Sequence, residues 1–326
     1  MDTKVSFSAP ARVDLSGGAA DMFGFSTLST AIDLRARVTI DEYSNGISIK
    51  IGDTEEKISR EITFGTKTDI IKSIIQRFDL LKENFMITVD TSVPPSSGLG
   101  GSASITVAAI AALNKRFELG LNTYQIAEHA QRCESLEMEM RNGYQDWYAA
   151  AFGGTLFMDF KNKNNLEIDQ EPFAVVENLT EYTDLQLVVA HTGVKHSSDL
   201  SNEKLYAKYK EGNGKVVTLI KKLDKLTRKA RNTLIRDDLD LLIGIVDENQ
   251  EIIREFNRSG KENEELIETA LENGAAAAKV TGAGCGGCIA ALCRTKRDKK
   301  KVAESLQECS SFVHSCSVDK GVQNEI

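Results

Sequence analysis

The eleven residues PPSSGLGGSAS at 94–104 constrain this chain more than any others. The alternating stretch Phe85–Asp90 reads as a strand leading into them. The run Ser102–Asn114, small or apolar on every side, reads as a helix that has to be buried. A flexible linker does not run straight into a buried helix, so the segment is a shaped loop. Strand, glycine turn and helix start together make an anion site, because the first N–H groups of a helix have no internal partner and the dipole adds positive charge. Gly98, Gly100 and Gly101 let the backbone approach a ligand, and Ser97 and Ser102 add hydroxyls. On local grounds a purely structural turn is the alternative. No lysine follows the second glycine, so this is not a Walker A loop.

The 326 residues are enough for two domains, with 41% hydrophobic and 27% charged residues, the profile of a globular chain. A formal net charge of −8 argues against general affinity for nucleic acid or membrane surfaces. No apolar run approaches a membrane span, and MDTKVSFSAPARV lacks the apolar region of a signal peptide. Six cysteines, most of them in the last third, fit a reduced, cytoplasmic chain. Cys285-Gly-Gly-Cys288 lacks the second ligand pair that a zinc site requires.

Strands are expected at Lys4–Ser8, Leu34–Tyr43 and Gly46–Ile51, and helices at Thr68–Phe78 and Thr123–Met140, the latter with Thr123 as N-cap. A strand at Leu185–His191 precedes helices at Asn202–Leu223, Lys225–Asp237, Leu239–Asn257 and Asn263–Asn273. Two apolar strands, Ala277–Thr281 and Cys288–Cys293, flank the glycines of GAGCGG, which reads as a hairpin rather than a dinucleotide fingerprint because no helix follows. A helix at Lys300–Glu308 and a strand at Ser311–Val318 end the chain, and RTKRDKKK (294–301) reads as a solvated turn and helix start. The polar run KNKNNLEIDQE marks a domain boundary, giving units 1–165 and 166–326.

Several ionisable residues sit where a carboxylate or cation needs a reason. Glu134 shares a helical stripe with Ile126, Ala130 and Met138, so it tends inward, as a magnesium ligand or as half of an internal salt bridge. Asp146, in NGYQDWYAAAFGG, reads locally as an N-cap, with a general base as the sharper alternative. In PARVDLSGGAAD, Arg12 either pairs internally or neutralises a transferred phosphoryl group. His191 and His196, in AHTGVKHSSDL, are loop histidines near a strand end, serving either an acceptor or nothing in particular.

In order along the chain, PARVDLSGGAAD, PPSSGLGGSAS, Glu134 with GYQDWYAAAFGG, and KVTGAGCGGC resemble the GHMP kinases, small-molecule kinases of galactose, homoserine, mevalonate and phosphomevalonate. The resemblance implies an α+β GHMP fold: an N-terminal ATP-binding domain like ribosomal protein S5, a C-terminal ferredoxin-like domain, and the site between them. It implies that the backbone of Pro95, Ser96, Ser97, Gly98, Leu99, Gly100, Gly101, Ser102 and Ala103 cradles the phosphates of ATP. Ser102 and Glu134 would hold Mg2+, Asp146 would contact the acceptor hydroxyl as base or orienting group, and Arg12 would polarise that hydroxyl or the transferred phosphoryl. Gly282 and Gly284 belong to the glycine hairpin that closes on the acceptor. Gly101 and Cys285 depart from the usual serine and glycine without removing an essential group.

The stretch from Ser16 to Asp21 lacks the Gly-Glu-His of galactokinases and mevalonate kinases, and Arg12 stands where mevalonate kinases carry lysine. With Ala31-Ile32-Asp33-Leu34 and Gln145-Asp146, it looks more like the heptose-phosphate kinases and the fucokinase-type sugar 1-kinases. Asp21, beside Gly18, would then bind sugar hydroxyls, since a carboxylate accepts two at once. Tyr144 replaces the lysine common in the heptose-phosphate subgroup, which makes room for an unphosphorylated sugar. The expected activity is ATP- and Mg2+-dependent phosphorylation of a hydroxyl, the anomeric one, of a monosaccharide or a sugar phosphate such as a heptose 7-phosphate. Rival readings are a mevalonate-type kinase and a non-catalytic sugar- and ATP-binding regulator. The expected partner is a small sugar or sugar phosphate, without nucleic acid or membrane, and a homodimer is compatible with it.

Overall fold

A computed structural model describes residues 4–58, 61–194 and 198–326. His196 lies outside the described residues. The N-terminal half is built on an eight-stranded sheet. Its first strand, β1 (Val5–Ser16), runs through Pro10 and Arg12 and is buried along most of its length. A short 3-10 turn, Gly18–Phe23, leads to the long β2 (Thr27–Asp41). There follow β3 (Ile47–Ile51), β4 (Thr54–Ile58), α1 (Asp69–Arg77) and β5 (Phe85–Thr91). The small-residue run forms α2 (Gly101–Arg116), buried from Ala103 to Leu113 except at Ile105. Next come α3 (Thr123–Arg132), α4 (Gln145–Phe152), β6 (Thr155–Asp159) and β7 (Val175–Asn178).

The N-cap of α3 is Asn122, not Thr123: its side chain accepts from the Gln125 N–H while the Gln125 side chain accepts from the Asn122 N–H, a reciprocal cap. The expected single helix to Met140 instead ends at Arg132 and continues as a π-turn, Cys133–Glu137. Such turns insert a residue and re-aim the side chains after it. Here the re-aimed residue is Glu134, which is buried.

The C-terminal half starts with β8 (Gln186–His191), followed by α5 (Ser198–Lys210) and α6 (Gly214–Ile235). These two replace the helices expected at 202–223 and 225–237. The break falls at Gly212–Asn213, where the Asn213 side chain caps α6, and α6 runs on through Leu223–Lys225. Then come α7 (Leu239–Glu255), α8 (Lys261–Glu272), β9 (Ala277–Val280), β10 (Cys288–Cys293), α9 (Lys296–Gln307), β11 (Phe312–Cys316) and the two-residue β12 (Gln323–Asn324). The second sheet is wholly antiparallel in the order β11-β8-β10-β9, the ferredoxin-like arrangement.

The first sheet runs β12-β1-β2-β5-β3-β4, with β6 pairing both β2 and β7. β7 lies beyond residue 165 and β12 returns from the chain end, so a cut at 165/166 would divide this sheet. We propose the division after Asn178, with the C-terminal tail counted in the first unit. One core lies among α1–α4 and the N-terminal sheet, with Val38, Ile40, Phe85 and Val107 fully covered or nearly so. A second joins the halves: Val13 and Leu15 of β1 share it with Leu187, Ile220, Leu226 and Ile245. It is this shared core that sets the two sheets on either side of one cleft.

Candidate active site

The cleft has a volume of about 880 Å³ and is lined by Arg12, Asp21, Ser97, Ser102, Glu134 and Asp146 among others. At its floor α2 begins at Gly101 with Gly100, in the left-handed region at φ 77°, as a cap that offers no side-chain acceptor. The first helical N–H to bond inside the helix is that of Ser104, to Gly100 O at 2.9 Å. Earlier N–H groups are left for a ligand. The loop is clamped from the other domain. A Cβ on Gly98 would lie 2.7 Å from Thr281 O, and one on Gly282 would lie 2.5 Å from Gly98 O, so the loop and the glycine hairpin touch backbone to backbone. The Cys288 N–H also donates to Ser97 O at 2.8 Å.

Arg12, buried in β1, donates through Nε to Asp146 Oδ1 at 2.8 Å and through Nη2 to Oδ2 at 2.7 Å; Nη1 donates to Gly98 O at 2.5 Å. The arginine therefore ties the Asp146 carboxylate to the glycine loop that leads into α2. Burial disfavours its cation, yet the charges of Asp146, Asp14 and Asp21 more than compensate and hold its pKa above the usual value. Asp146 does not cap α4. It is the second residue of that helix, with Tyr144 at the cap position, and its side chain turns to Arg12 instead.

Ser102 Oγ donates to Glu134 Oε1 at 2.6 Å. Burial pushes the Glu134 carboxyl up to about 7, a rise that Ser102 opposes and Asp146 reinforces. Among the described residues Ser102 is the one hydrogen-bond partner of this buried side chain, so Glu134 is not half of an internal salt bridge. A carboxylate and a hydroxyl side by side at a phosphate loop fit Mg2+, which takes one or two carboxylates and completes its shell with phosphate oxygens and water. No group of three or more His, Cys, Asp or Glu ligands occurs among the described residues.

Asp21 Oδ2 accepts the N–H groups of Tyr144 at 2.6 Å and Gln145 at 2.9 Å. Burial, the largest influence, raises its carboxyl to about 6 despite these donors. Its oxygens pack so closely on Gly143 that a Cβ there would lie 2.0 Å from Oδ2. Gly18 O accepts from Gln145 Nε2 at 2.8 Å.

Most of the residues expected at the site line the cleft: Pro95, Ser96, Ser97, Gly98, Gly100, Gly101, Ser102, Ala103, Glu134, Arg12, Asp146, Asp21, Gly18 and Gly282. Two do not. Leu99 is fully buried in the shared core, its carbonyl accepting from the Arg12 N–H at 2.9 Å. Gly284 turns to the Arg258 backbone, where a Cβ would lie 2.1 Å from Arg258 O. His191 is buried and does not line the cleft: its Nδ1 accepts from the Gly193 N–H at 2.8 Å and lies 3.1 Å from Ser311 Oγ, and its ring also interacts with the Ser96 backbone. The sequence also gave no hint of Asn142, Trp147, Asn202 and Arg258, which line the cleft from a loop, a helix and the other domain. Nor did it reveal Lys279. Its ammonium donates to Asp14 Oδ2 at 2.6 Å, Asp14 O at 2.9 Å and Val280 O at 2.6 Å, fixing β9 to β1 directly behind the site.

Family models for the GHMP kinases N terminal domain and the GHMP kinases C terminal match residues 68–154 and 230–310. The D-glycero-α-D-manno-heptose 7-phosphate kinase of Campylobacter jejuni is 30% identical, over 85% of this chain and 86% of the relative. The chain belongs to the GHMP kinases. It is thus a phosphotransferase with an alcohol group as acceptor, in a family whose phosphate donor is ATP. The mevalonate kinase of Pyrococcus abyssi is 27% identical, over 94% of this chain and 93% of the relative. In fold, the galactokinase of Lactococcus lactis, solved with galactose, superposes with a TM-score of 0.82 at 17% identity, covering 99% of this chain and 95% of that one. The GHMP membership accounts for the ferredoxin-like second sheet and for the paired glycine segments. No helix among the described residues is long and apolar enough to cross a membrane.

Proposed function

We propose that the chain transfers the γ-phosphoryl group of ATP to a hydroxyl, the anomeric one, of a monosaccharide or sugar phosphate, in the cytoplasm. The observation that carries this reading is the convergence of three features on one cleft: the unpaired N–H groups at the start of α2, the Ser102–Glu134 pair and the Arg12–Asp146 pair. The loop backbone binds phosphate oxygens. Ser102 and Glu134 hold Mg2+, which neutralises phosphate charge when bound. Asp146 accepts or orients the acceptor proton, and Arg12 keeps that carboxylate beside Gly100 while adding positive charge to the transfer site. As the acceptor oxygen bonds to the γ-phosphorus, the bond to the β-phosphate oxygen breaks and ADP leaves with the electron pair. The hydroxyl proton passes by way of Asp146 to solvent.

Asp21 and Gly18 receive the acceptor's remaining hydroxyls. This sugar reading follows from the stretch Ser16–Asp21 and from the heptose 7-phosphate kinase relative. The recurrence of mevalonate kinases among the relatives favours a second reading, an isoprenoid-precursor kinase with the same machinery. Phosphorus-31 NMR of the product separates the two. A phosphate doublet coupled to the anomeric proton is expected, and a primary-alcohol phosphate on a branched hydroxy acid would replace the sugar reading by the second.

A further inference from the structure

Six Arg or Lys side chains are buried among the described residues: Arg12, Lys72, Arg132, Lys163, Arg258 and Lys279. Five have a carboxylate within ion-pair distance: Asp146 for Arg12, Glu56 for Lys72, Glu128 for Arg132 and Lys163, and Asp14 for Lys279. For Arg258 no carboxylate among the described residues fills that role. Its guanidinium donates through Nη2 to the neutral Asn202 Oδ1 at 2.8 Å. Burial lowers its pKa to about 10, which Cys285 and Asp21 only partly offset. An unpaired buried cation is costly, so it persists where a ligand completes it.

Arg258 is only 4% exposed, yet it lines the cleft. It is also held in place. Its N–H donates to Ile253 O at 3.1 Å, and its carbonyl accepts from the Cys285 N–H at 2.8 Å.

An independent observation points to the same wall. Asn142 Nδ2 is buried without an acceptor, although the cleft is next to it. The other end of that amide is fixed, because Asn142 Oδ1 accepts from Gln131 Nε2 at 2.8 Å. Asn202 joins the two donors: while holding Arg258 it donates through Nδ2 to the carbonyl of Arg141, the residue before Asn142, at 3.3 Å. Asn142 precedes Gly143, on which Asp21 packs, and the Asp21 charge also acts on Arg258. Tyr144, where the heptose-phosphate subgroup has lysine, is turned away from the cleft. Its hydroxyl donates to Glu171 Oε1 at 3.2 Å and accepts from the Asn165 N–H at 2.6 Å.

We propose that Arg258, with the Asn142 amide, binds an anionic group that the acceptor already carries, a phosphate monoester or a carboxylate, and so selects the acceptor. The proposal rests on the kinase reading of the cleft. It narrows the sugar reading to sugar phosphates and leaves the hydroxy-acid reading open.

The test uses the full chain and two acceptor pairs: D-glycero-D-manno-heptose 7-phosphate against the unphosphorylated heptose, and (R)-mevalonate against its neutral lactone. Turnover is measured with Mg-ATP, and acceptor binding by calorimetry. One anionic acceptor is expected to exceed its neutral counterpart at least about 30-fold in kcat/KM, the scale of a lost buried charge contact. Which pair responds separates phosphate from carboxylate. Arg258→Gln is expected to raise KM for that acceptor by at least about 30-fold while changing kcat less than about five-fold, with KM for ATP and Tm near wild type. Arg258→Lys restores part of the affinity. Anionic binding without turnover, lost in Arg258→Gln, supports the anion site and refutes the kinase reading. The proposal is overturned if a neutral acceptor serves equally well, if Arg258→Gln leaves KM for the anionic acceptor unchanged, or if neither anionic acceptor binds.

Discussion

Asp146 takes both of its hydrogen bonds from one guanidinium, which leaves an asparagine at that position able to keep one of them. Asp146→Asn is therefore expected to retain nucleotide affinity while kcat falls by about 100-fold or more. A kcat within a factor of a few of wild type would remove the carboxylate from the chemistry. Glu134→Ala deletes the carboxylate partner of Ser102 and is expected to raise the half-saturating Mg2+ concentration at least about ten-fold, with full activity approached at high Mg2+. An unshifted Mg2+ titration would mean that Glu134 holds no metal. At this scale the sequence was legible where a residue sits inside a patterned stretch. Arg12, Ser102 and Asp146 stand in recognisable strings, and Glu134 sits on an otherwise apolar stripe. Arg258 and Asn142 were not legible, because an arginine or asparagine in a polar loop looks solvated until the opposite domain is folded against it.

The glycine segments are one element split across the sequence. Gly98 and Gly282 meet through their backbones, and Gly282 holds φ at 76°. Gly282→Ala introduces a left-handed alanine and a backbone clash, expected to cost on the order of 2–3 kcal/mol of stability and to weaken ATP binding together with it. Thermal melts with and without ADP check this; a variant as stable as wild type would show that the two segments separate freely. Hairpin, buried helix and strand-led loop were all readable from periodicity, since each has a strong local pattern. The π-turn at Cys133–Glu137 was not, because the stripe Ile126–Ala130–Glu134 looks the same whether the helix continues or bulges. Nor were β6 and β7: β6 is apolar at three of five positions and β7 is half polar, and each pairs only through long-range contacts.

The two halves are fastened by Asp14 and Lys279, whose ammonium finds three acceptors. Burial alone would raise the Asp14 carboxyl, but Lys279 and Arg12 hold it below its usual range. Lys279→Met strands that carboxylate in the interior and is expected to cost about 3–5 kcal/mol, read as a lower denaturant midpoint. A loss under about 1 kcal/mol would mean that water reaches the pair.

His129 gives a pH dependence of known sign. Burial first, and then the Arg77 charge, lower its pKa from 6.5 to about 4. Between those values the unfolded chain binds the proton and the folded chain does not. Its contribution is therefore complete above pH 6.5 and shrinks as pH falls toward 4, by up to about 1.4 kcal/mol per unit. Asp21 and Glu134, with raised values, act in the opposite direction, so the test is a difference. His129→Gln is expected to lose less stability than wild type between pH 7 and 5, and parallel losses would contradict it. At the scale of the whole chain, the two-domain division and the cleft between the halves followed from motif order, whereas the shared sheet that takes back the chain's last residues did not, since β12 has only two residues to announce itself.

The most direct test of the account is ADP release from Mg-ATP in the presence of fucose, galactose, mannose, heptose 7-phosphate and mevalonate, each supplied alone. The account predicts acceptor-dependent release with a sugar or sugar phosphate. No acceptor-dependent release with any of them, in a protein that binds ATP, would contradict it.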